Sequence, residues 1–254
     1  MPEAPGTLEG WYALHDFRRL DWPRWKEVSA AERESIIAEA SAFLEDAEAH
    51  RDADEGSSAL YQVLGHKADL MLLHLRPALE DLAELERRFT AARLADFTTG
   101  PYSYVSVTEL GQYEASARGG EGALENPLEV PFIKARLKPN IPPLRYMTFY
   151  PMNKARSGED NWYMLPLEER REMMRSHGVI GHRWHGKVIQ MITGSVGLDD
   201  WEWGVTLFSQ DPLHFKKLVY EMRFDEASAR FAQFGPFLLG IRLRPADLGR
   251  VLAV

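Results

Sequence analysis

Apolar residues recur at helical spacing after Ser29. Ile36, Ile37, Ala40, Phe43, Leu44 and Ala47 share one side of a helix over about residues 29 to 50. Ser29 and Glu32 head it as a capping box, each side chain satisfying the other's free backbone N–H. On either side the period drops to two. Leu8 to Phe17 is aromatic and partly alternating, so a strand is expected. Ala59–Leu64 and Asp69–Leu75 read as two strands joined by Gly65-His66-Lys67-Ala68. Pro77 begins a second helix with Leu79, Leu82, Leu85 and Phe89 on one side, and Tyr102 to Leu110 alternates as a strand. The order βαββαβ is the ferredoxin-like pattern.

From 113 to 143 the pattern stops. Gly119, Gly120, Gly122, Pro127, Pro131, Pro139, Pro142 and Pro143 break every regular element, which predicts a long linker. The βαββαβ order then repeats. Its parts are a strand over Leu144–Tyr150, a helix from Pro166 to about His177 with Gly178 as its left-handed cap, and strands over Val188–Val196 and Trp201–Phe208. A helix opened by Asp211-Pro212 and a strand over Phe237–Leu243 complete it. The expectation is an α+β protein of two ferredoxin-like units, residues 1–112 and 144–254, around a linker loop at 113–143. Two such open sheets can pack face to face as a barrel.

Composition narrows the chemistry. Over 254 residues, 45% are hydrophobic and 27% charged, which is globular. The net charge of -8 argues against a nucleic-acid partner, which needs a concentrated basic face. With no cysteine, thiolate-ligated haem, Fe–S clusters and covalent haem attachment are excluded. The N-terminal segment lacks the basic and apolar regions of a leader, and no apolar run approaches the roughly 18 residues that span a bilayer. A cytoplasmic protein without a membrane partner is expected.

Residues 144 to 190 are the densest in candidate chemistry. His177 lies on a helix whose inner face carries Met173 and Met174. A histidine so placed is usually a satisfied core residue, but neutral imidazole is also the usual protein ligand of haem iron. Tyr150 reads as a core aromatic or as a phenol near an oxidant. Lys154 and Arg156 read as surface charges or carboxylate holders. Trp162, Trp201 and Trp203 are core by default. Gln190, among apolar strand neighbours, needs a hydrogen-bond partner if buried. His182 and His185 have metal-compatible spacing but supply only two ligands. Arg136 and Lys138 are the linker's notable charges, while Arg223 and Ser228 could together hold a carboxylate. Residue patterns alone reach an anionic-ligand site on an α+β fold, no further.

Four runs go beyond this: Phe149–Lys154, Asp160–Pro166, Asp199–Val205 and Val219–Arg230. With Leu8–Trp11 and Tyr61–Asp69, they resemble the coproheme decarboxylases of the chlorite dismutase-like superfamily, over nearly the whole chain. The resemblance implies a dimeric α+β barrel within each chain, a homopentamer, and a transient contact with the preceding ferrochelatase. It implies iron coproporphyrin III (coproheme) as substrate and redox centre, hydrogen peroxide as oxidant, and haem b with two CO2 as products of the last step of haem biosynthesis. By the same resemblance His177 matches the axial iron ligand and Tyr150 the tyrosine whose radical takes hydrogen from the propionate β-carbon. Lys154 matches the lysine near the reactive propionates, where its charge should lower a nearby phenol's pKa, and Gln190 the distal glutamine. Arg136, Arg223 and Ser228 match propionate contacts, and Trp162 and Trp203 match pocket aromatics. Chlorite dismutases need a distal arginine where Gln190 stands, which disfavours that reaction. A haem-binding or haem-transfer protein on the same fold, and a non-haem enzyme on a dimeric α+β barrel, remain the alternatives.

Overall fold

A computed structural model describes residues 4–120 and 122–254. Residues 1–3, within the segment expected to lack a leader, and Glu121 of the expected linker lie outside the described residues. In chain order the strands and helices are β1 (Thr7–Leu20), α1 (Trp22–Glu27), α2 (Ala30–Glu48), β2 (Ser57–Leu64), β3 (Leu70–Arg76), α3 (Leu79–Ala91), β4 (Thr98–Gly111), α4 (Gln112–Gly119) and α5 (Pro131–Leu137). There follow β5 (Tyr146–Lys154), β6 (Arg156–Ser157), β7 (Asp160–Asn161), α6 (Leu167–His182), β8 (Ile189–Gly194), β9 (Trp203–Ser209), α7 (Leu213–Met222), α8 (Glu226–Phe231), β10 (Ala232–Phe234), β11 (Leu238–Leu243) and α9 (Gly249–Leu252). The fold is mixed α+β with antiparallel pairing.

One compact unit holds residues 10–107, 138–143 and 238–254. Its strands run β11-β2-β3-β1-β4. Within it, β2-β3-β1-β4 is the order a single ferredoxin-like βαββαβ makes. Ser29 Oγ accepts the Glu32 N–H at 3.3 Å, starting α2 where the sequence places it. The helix buries Ile36, Ala40, Phe43, Leu44 and Ala47 against Leu60, Leu70, Leu72, Leu85 and Phe89. Each large apolar side chain among these contributes about 1.5–3 kcal/mol on leaving water. Leu79, expected on the inner face of α3, is exposed because the helix begins at that residue. Arg76, fully buried, grips Asp52 through Nε and Nη2 at 2.7 and 2.8 Å.

The other unit holds the N-terminal residues through Glu9, then 108–137 and 144–237. Its strands run β8-β9-β5-β10. Two expectations are corrected. First, the stretch 113–143 is not devoid of helix. Pro131 opens α5, where a missing N–H costs nothing, and Gly120 at φ +83° ends α4. Ile133 and Leu137 then pack with Leu110, Ala115 and Ala123. Second, Gly178 does not cap its helix, because α6 continues through it to His182. A helix-interior glycine costs only about 1 kcal/mol, so it need not stop a helix. The strand expected over Phe237–Leu243 is present from Leu238 and pairs with β2. Within the second unit the short β10 pairs with the end of β5, with Phe234 opposite Met152. Gly235 makes the close approach after β10 feasible, since a Cβ there would meet Pro151 Cγ at 2.6 Å.

Candidate functional site

The site is assembled on β5, β8, β9, α6 and the turn between α7 and α8. Residues directly opposite in an antiparallel pair share a face, and alternate residues along a strand return to it. The registers Gln190↔Leu207↔Thr148, Ile192↔Val205↔Tyr150 and Gly194↔Trp203↔Met152 therefore place Gln190, Trp203 and Tyr150 on one face. Lys154, four residues beyond Tyr150 on β5, joins them. None of these is a sequence neighbour of all the others; pairing brings them together.

Tyr150 is buried, stacked on Phe237 with centroids 4.4 Å apart and edge-on to Phe234 at 5.6 Å. Burial pushes its phenol well above the ordinary tyrosine range, although the Arg223 guanidinium works against this. The expectation that a neighbouring lysine lowers the phenol's pKa is thus corrected: desolvation wins, and the opposing charge is Arg223. Arg223 is exposed, its guanidinium 4.7 Å from the Phe234 ring centre.

Lys154 is buried, not a surface charge. Its Nζ donates to the Ala227 carbonyl at 3.1 Å and lies 4.5 Å over the Trp162 ring. Burial lowers its pKa to about 8, with Asp225 and Glu202 opposing. Trp162 is itself buried edge-on against Phe231.

His177 sits inside α6, one turn after buried Met173; Met174 is exposed. The apolar pattern thus assigned it to the right helix but the wrong place in it. Its Nδ1 bonds Asp225 Oδ2 at 2.8 Å, and Asp225 is almost wholly buried. The same carboxylate oxygen accepts the Ser228 N–H at 3.2 Å, capping α8. One aspartate thus fixes the imidazole and starts the helix that carries Ser228. Asp225 was absent from the sequence candidates; its Asp-x-x-Ser spacing was readable as an N-cap, but nothing in one dimension joins it to His177.

The other candidates divide. Ser228 is buried beside this turn. Gln190 is exposed, so burial demands no partner for it. Trp203 donates Nε1–H to Glu109 Oε1 at 3.0 Å. Glu109 passes over Gly194, where a Cβ would run into its Oε2. Arg136 is in the last turn of α5, and no hydrogen bond or ion pair links it to the other candidates among the described residues. His182 and His185 stack at 5.6 Å, but no group of three or more metal-ligating side chains occurs among the described residues.

The chlorite dismutase family profile matches residues 33–243, so the chain belongs to the chlorite dismutase family. A haem-binding protein from Thermus thermophilus is 47% identical, with 100% of this chain and 99% of that chain covered and a TM-score of 0.91. Chlorite dismutase from Candidatus Nitrospira defluvii, in complex with imidazole, is 20% identical over 97% of this chain and 96% of its own, TM-score 0.76. A putative chlorite dismutase is 20% identical over 96% of this chain and 100% of its own, TM-score 0.74. These last two share the fold.

The residues present fit an iron porphyrin. A carboxylate on Nδ1 leaves Nε2 for metal, the arrangement that orients ligating histidines. Among the described residues, Nε2 of His177 has no hydrogen-bond partner. Lys154, Arg223 and the buried Ser228 offer partners for acidic ring substituents. Of the candidates, His177 is the one suited to hold iron.

Proposed function

We propose that this chain is a coproheme decarboxylase, using hydrogen peroxide to convert iron coproporphyrin III to haem b with release of two CO2. At each reacting propionate, carboxylate leaves as CO2 and the β-carbon loses one hydrogen, generating a vinyl group. The two electrons released reduce one peroxide to two waters, with net uptake of one proton.

The observation that carries this reading is Tyr150. It is a buried phenol whose surroundings keep it protonated, on the same sheet face as Gln190 and in the same unit as the His177–Asp225 pair. A phenol held with its proton is a hydrogen-atom source: losing proton and electron together gives a neutral radical able to take hydrogen from carbon. Storage of a porphyrin needs a ligand and an apolar pocket, and has no use for such a group. On this reading His177 holds iron, with Asp225 fixing its orientation. Arg223, Ser228 and Lys154 hold propionates, with Arg136 as an outer contact, and Trp162 and Trp203 wall the macrocycle. The proposal extends to a homopentamer, a cytoplasmic location and a transient contact with the preceding ferrochelatase.

A haem-binding protein without turnover is the second reading, favoured by the relative from Thermus thermophilus. One experiment separates them. Apoprotein loaded with coproheme and titrated with peroxide should show two successive mass losses, each of CO2 plus two hydrogens. Tyr150→Phe should bind the porphyrin and lose this conversion. Bleaching without defined loss favours storage, and full activity in the variant removes Tyr150 from the reaction.

A further inference from the structure

The end of α6 and the outer side of α7 form one surface that the porphyrin reading does not use. Leu213, Lys217, Tyr220 and Phe224 recur at spacings of four, three and four, and all are exposed. Phe224 is 75% and Tyr220 60% exposed, and the two rings meet edge to face at 5.3 Å. Lys216, beside them, holds its Nζ 5.3 Å over the Tyr220 ring. The patch continues past the end of α6 through Trp184, whose ring lies 6.0 Å from His214 and carries Lys187 above it at 5.5 Å.

Its charge is predominantly positive. Glu221 is committed to Arg183 Nη1 at 2.8 Å and Trp184 Nε1 at 2.9 Å, and Asp211 accepts the Leu213 N–H at 2.9 Å. Lys187, Lys216 and Lys217 make no ion pair among the described residues. This cationic, aromatic surface sits on a chain of net charge -8, so charge placement is local and opposes the global balance. Lysines alone would be a solvated face. Exposed phenylalanine and tyrosine alone would mark a generic sticky patch. Together they match an amphipathic segment lying at an anionic lipid interface, where rings enter the headgroup region and lysines stay at its surface. A two-fold contact with a second copy would set the lysines against themselves.

We propose that this face docks peripherally on anionic membrane lipid, with Tyr220 and Phe224 as the inserted rings and Lys187, Lys216 and Lys217 as the electrostatic contact. No helix among the described residues is long and apolar enough to cross a membrane, and this contact needs none. Docking does not depend on the decarboxylase reading. Its use does: a product that has exchanged two carboxylates for vinyl groups favours an apolar phase, and docking sets the enzyme beside one.

The test is sedimentation of the purified protein with vesicles of equimolar phosphatidylglycerol and phosphatidylcholine, and with phosphatidylcholine alone. Binding to the anionic vesicles, reversed by salt, is expected. Each lysine is worth about 1 kcal/mol at such a surface, so Lys216→Gln with Lys217→Gln should weaken partitioning roughly thirtyfold. Tyr220→Ser with Phe224→Ser should also abolish most binding to the anionic vesicles in the same sedimentation assay. No binding to anionic vesicles overturns the proposal. So does loss in the lysine variant with full retention in the aromatic variant, which would mark a site for an acidic macromolecule. A change of oligomeric mass in either variant would make the face a subunit contact and equally refute lipid docking. Circular dichroism of each variant checks that it is folded.

Discussion

Asp225→Asn isolates the group that orients the proposed iron ligand. The wild-type carboxylate is almost wholly buried, 2.8 Å from His177 Nδ1 and 3.2 Å from the Ser228 N–H. Asparagine keeps the volume and an oxygen for both N–H groups, so helix α8 keeps its cap and the fold should persist. What is lost is the charge. Charge-assisted hydrogen bonds are roughly twice as strong as neutral ones, and removing a partner behind a ligating histidine typically costs about 10–100-fold in metal affinity. Because the amide oxygen still accepts, about tenfold is expected for asparagine. Asp225→Ala should approach about a hundredfold and also lose about 1 kcal/mol of cap. Titrating ferric porphyrin into apoprotein and following the Soret band measures affinity; resonance Raman of the ferrous form measures the iron–histidine stretch, which should fall as the imidazole loses anionic character. A further signature follows from charge. Asp225 is the first of the two carboxylates opposing the burial of Lys154, so its neutralisation should lower the lysine's pKa below the present value of about 8. If affinity and stretch are both unchanged in a folded Asp225→Asn protein, Asp225 does not act through His177 and the reasoning fails.

Lys154 gives a pH prediction. With a pKa of about 8 its ammonium is present below that value and lost above it, so propionate-dependent turnover should decline as pH rises through about 8; a flat alkaline limb would remove its charge from the chemistry. His15 and His74 are buried and neutral, each held at about 3 mainly by desolvation. Below about 6.5 the unfolded chain binds protons that the fold rejects, so stability should fall as pH drops toward 3, by up to about 2.7 kcal/mol per unit for the pair; urea melts should show that slope flattened in His15→Gln with His74→Gln. Gly194→Ala drives a methyl into Glu109 Oε2, so a loss of about 1–3 kcal/mol is expected; an unchanged melting temperature would mean the carboxylate swings aside freely.

Strand and helix placement was largely legible because it rests on local periodicity. Helix α2, the β2–β3 hairpin and β4 follow from apolar spacing and a Ser29 cap. The linker was misread because prolines and glycines were counted as breakers without regard to position, and Pro131 stands where a helix tolerates proline. The end of α6 was misplaced for the converse reason: Gly178 permits a left-handed turn without requiring one. Of the site, Tyr150, Lys154 and His177 were legible as residues, through runs that resemble a family. Their environments were not.

Residue order alone establishes the alternation of elements, the repeated strand-and-helix pattern, the absence of thiolate chemistry and the runs that carry family membership. Each depends on residue type and on neighbours within a turn or a strand. The folded chain is what stands Asp225 behind His177 across 48 positions. Folding also pairs the short β10 with the end of β5 and buries Lys154 against Ala227 and Trp162. Desolvation and strand register are properties of what surrounds a side chain, and what surrounds it is brought from distant parts of the chain.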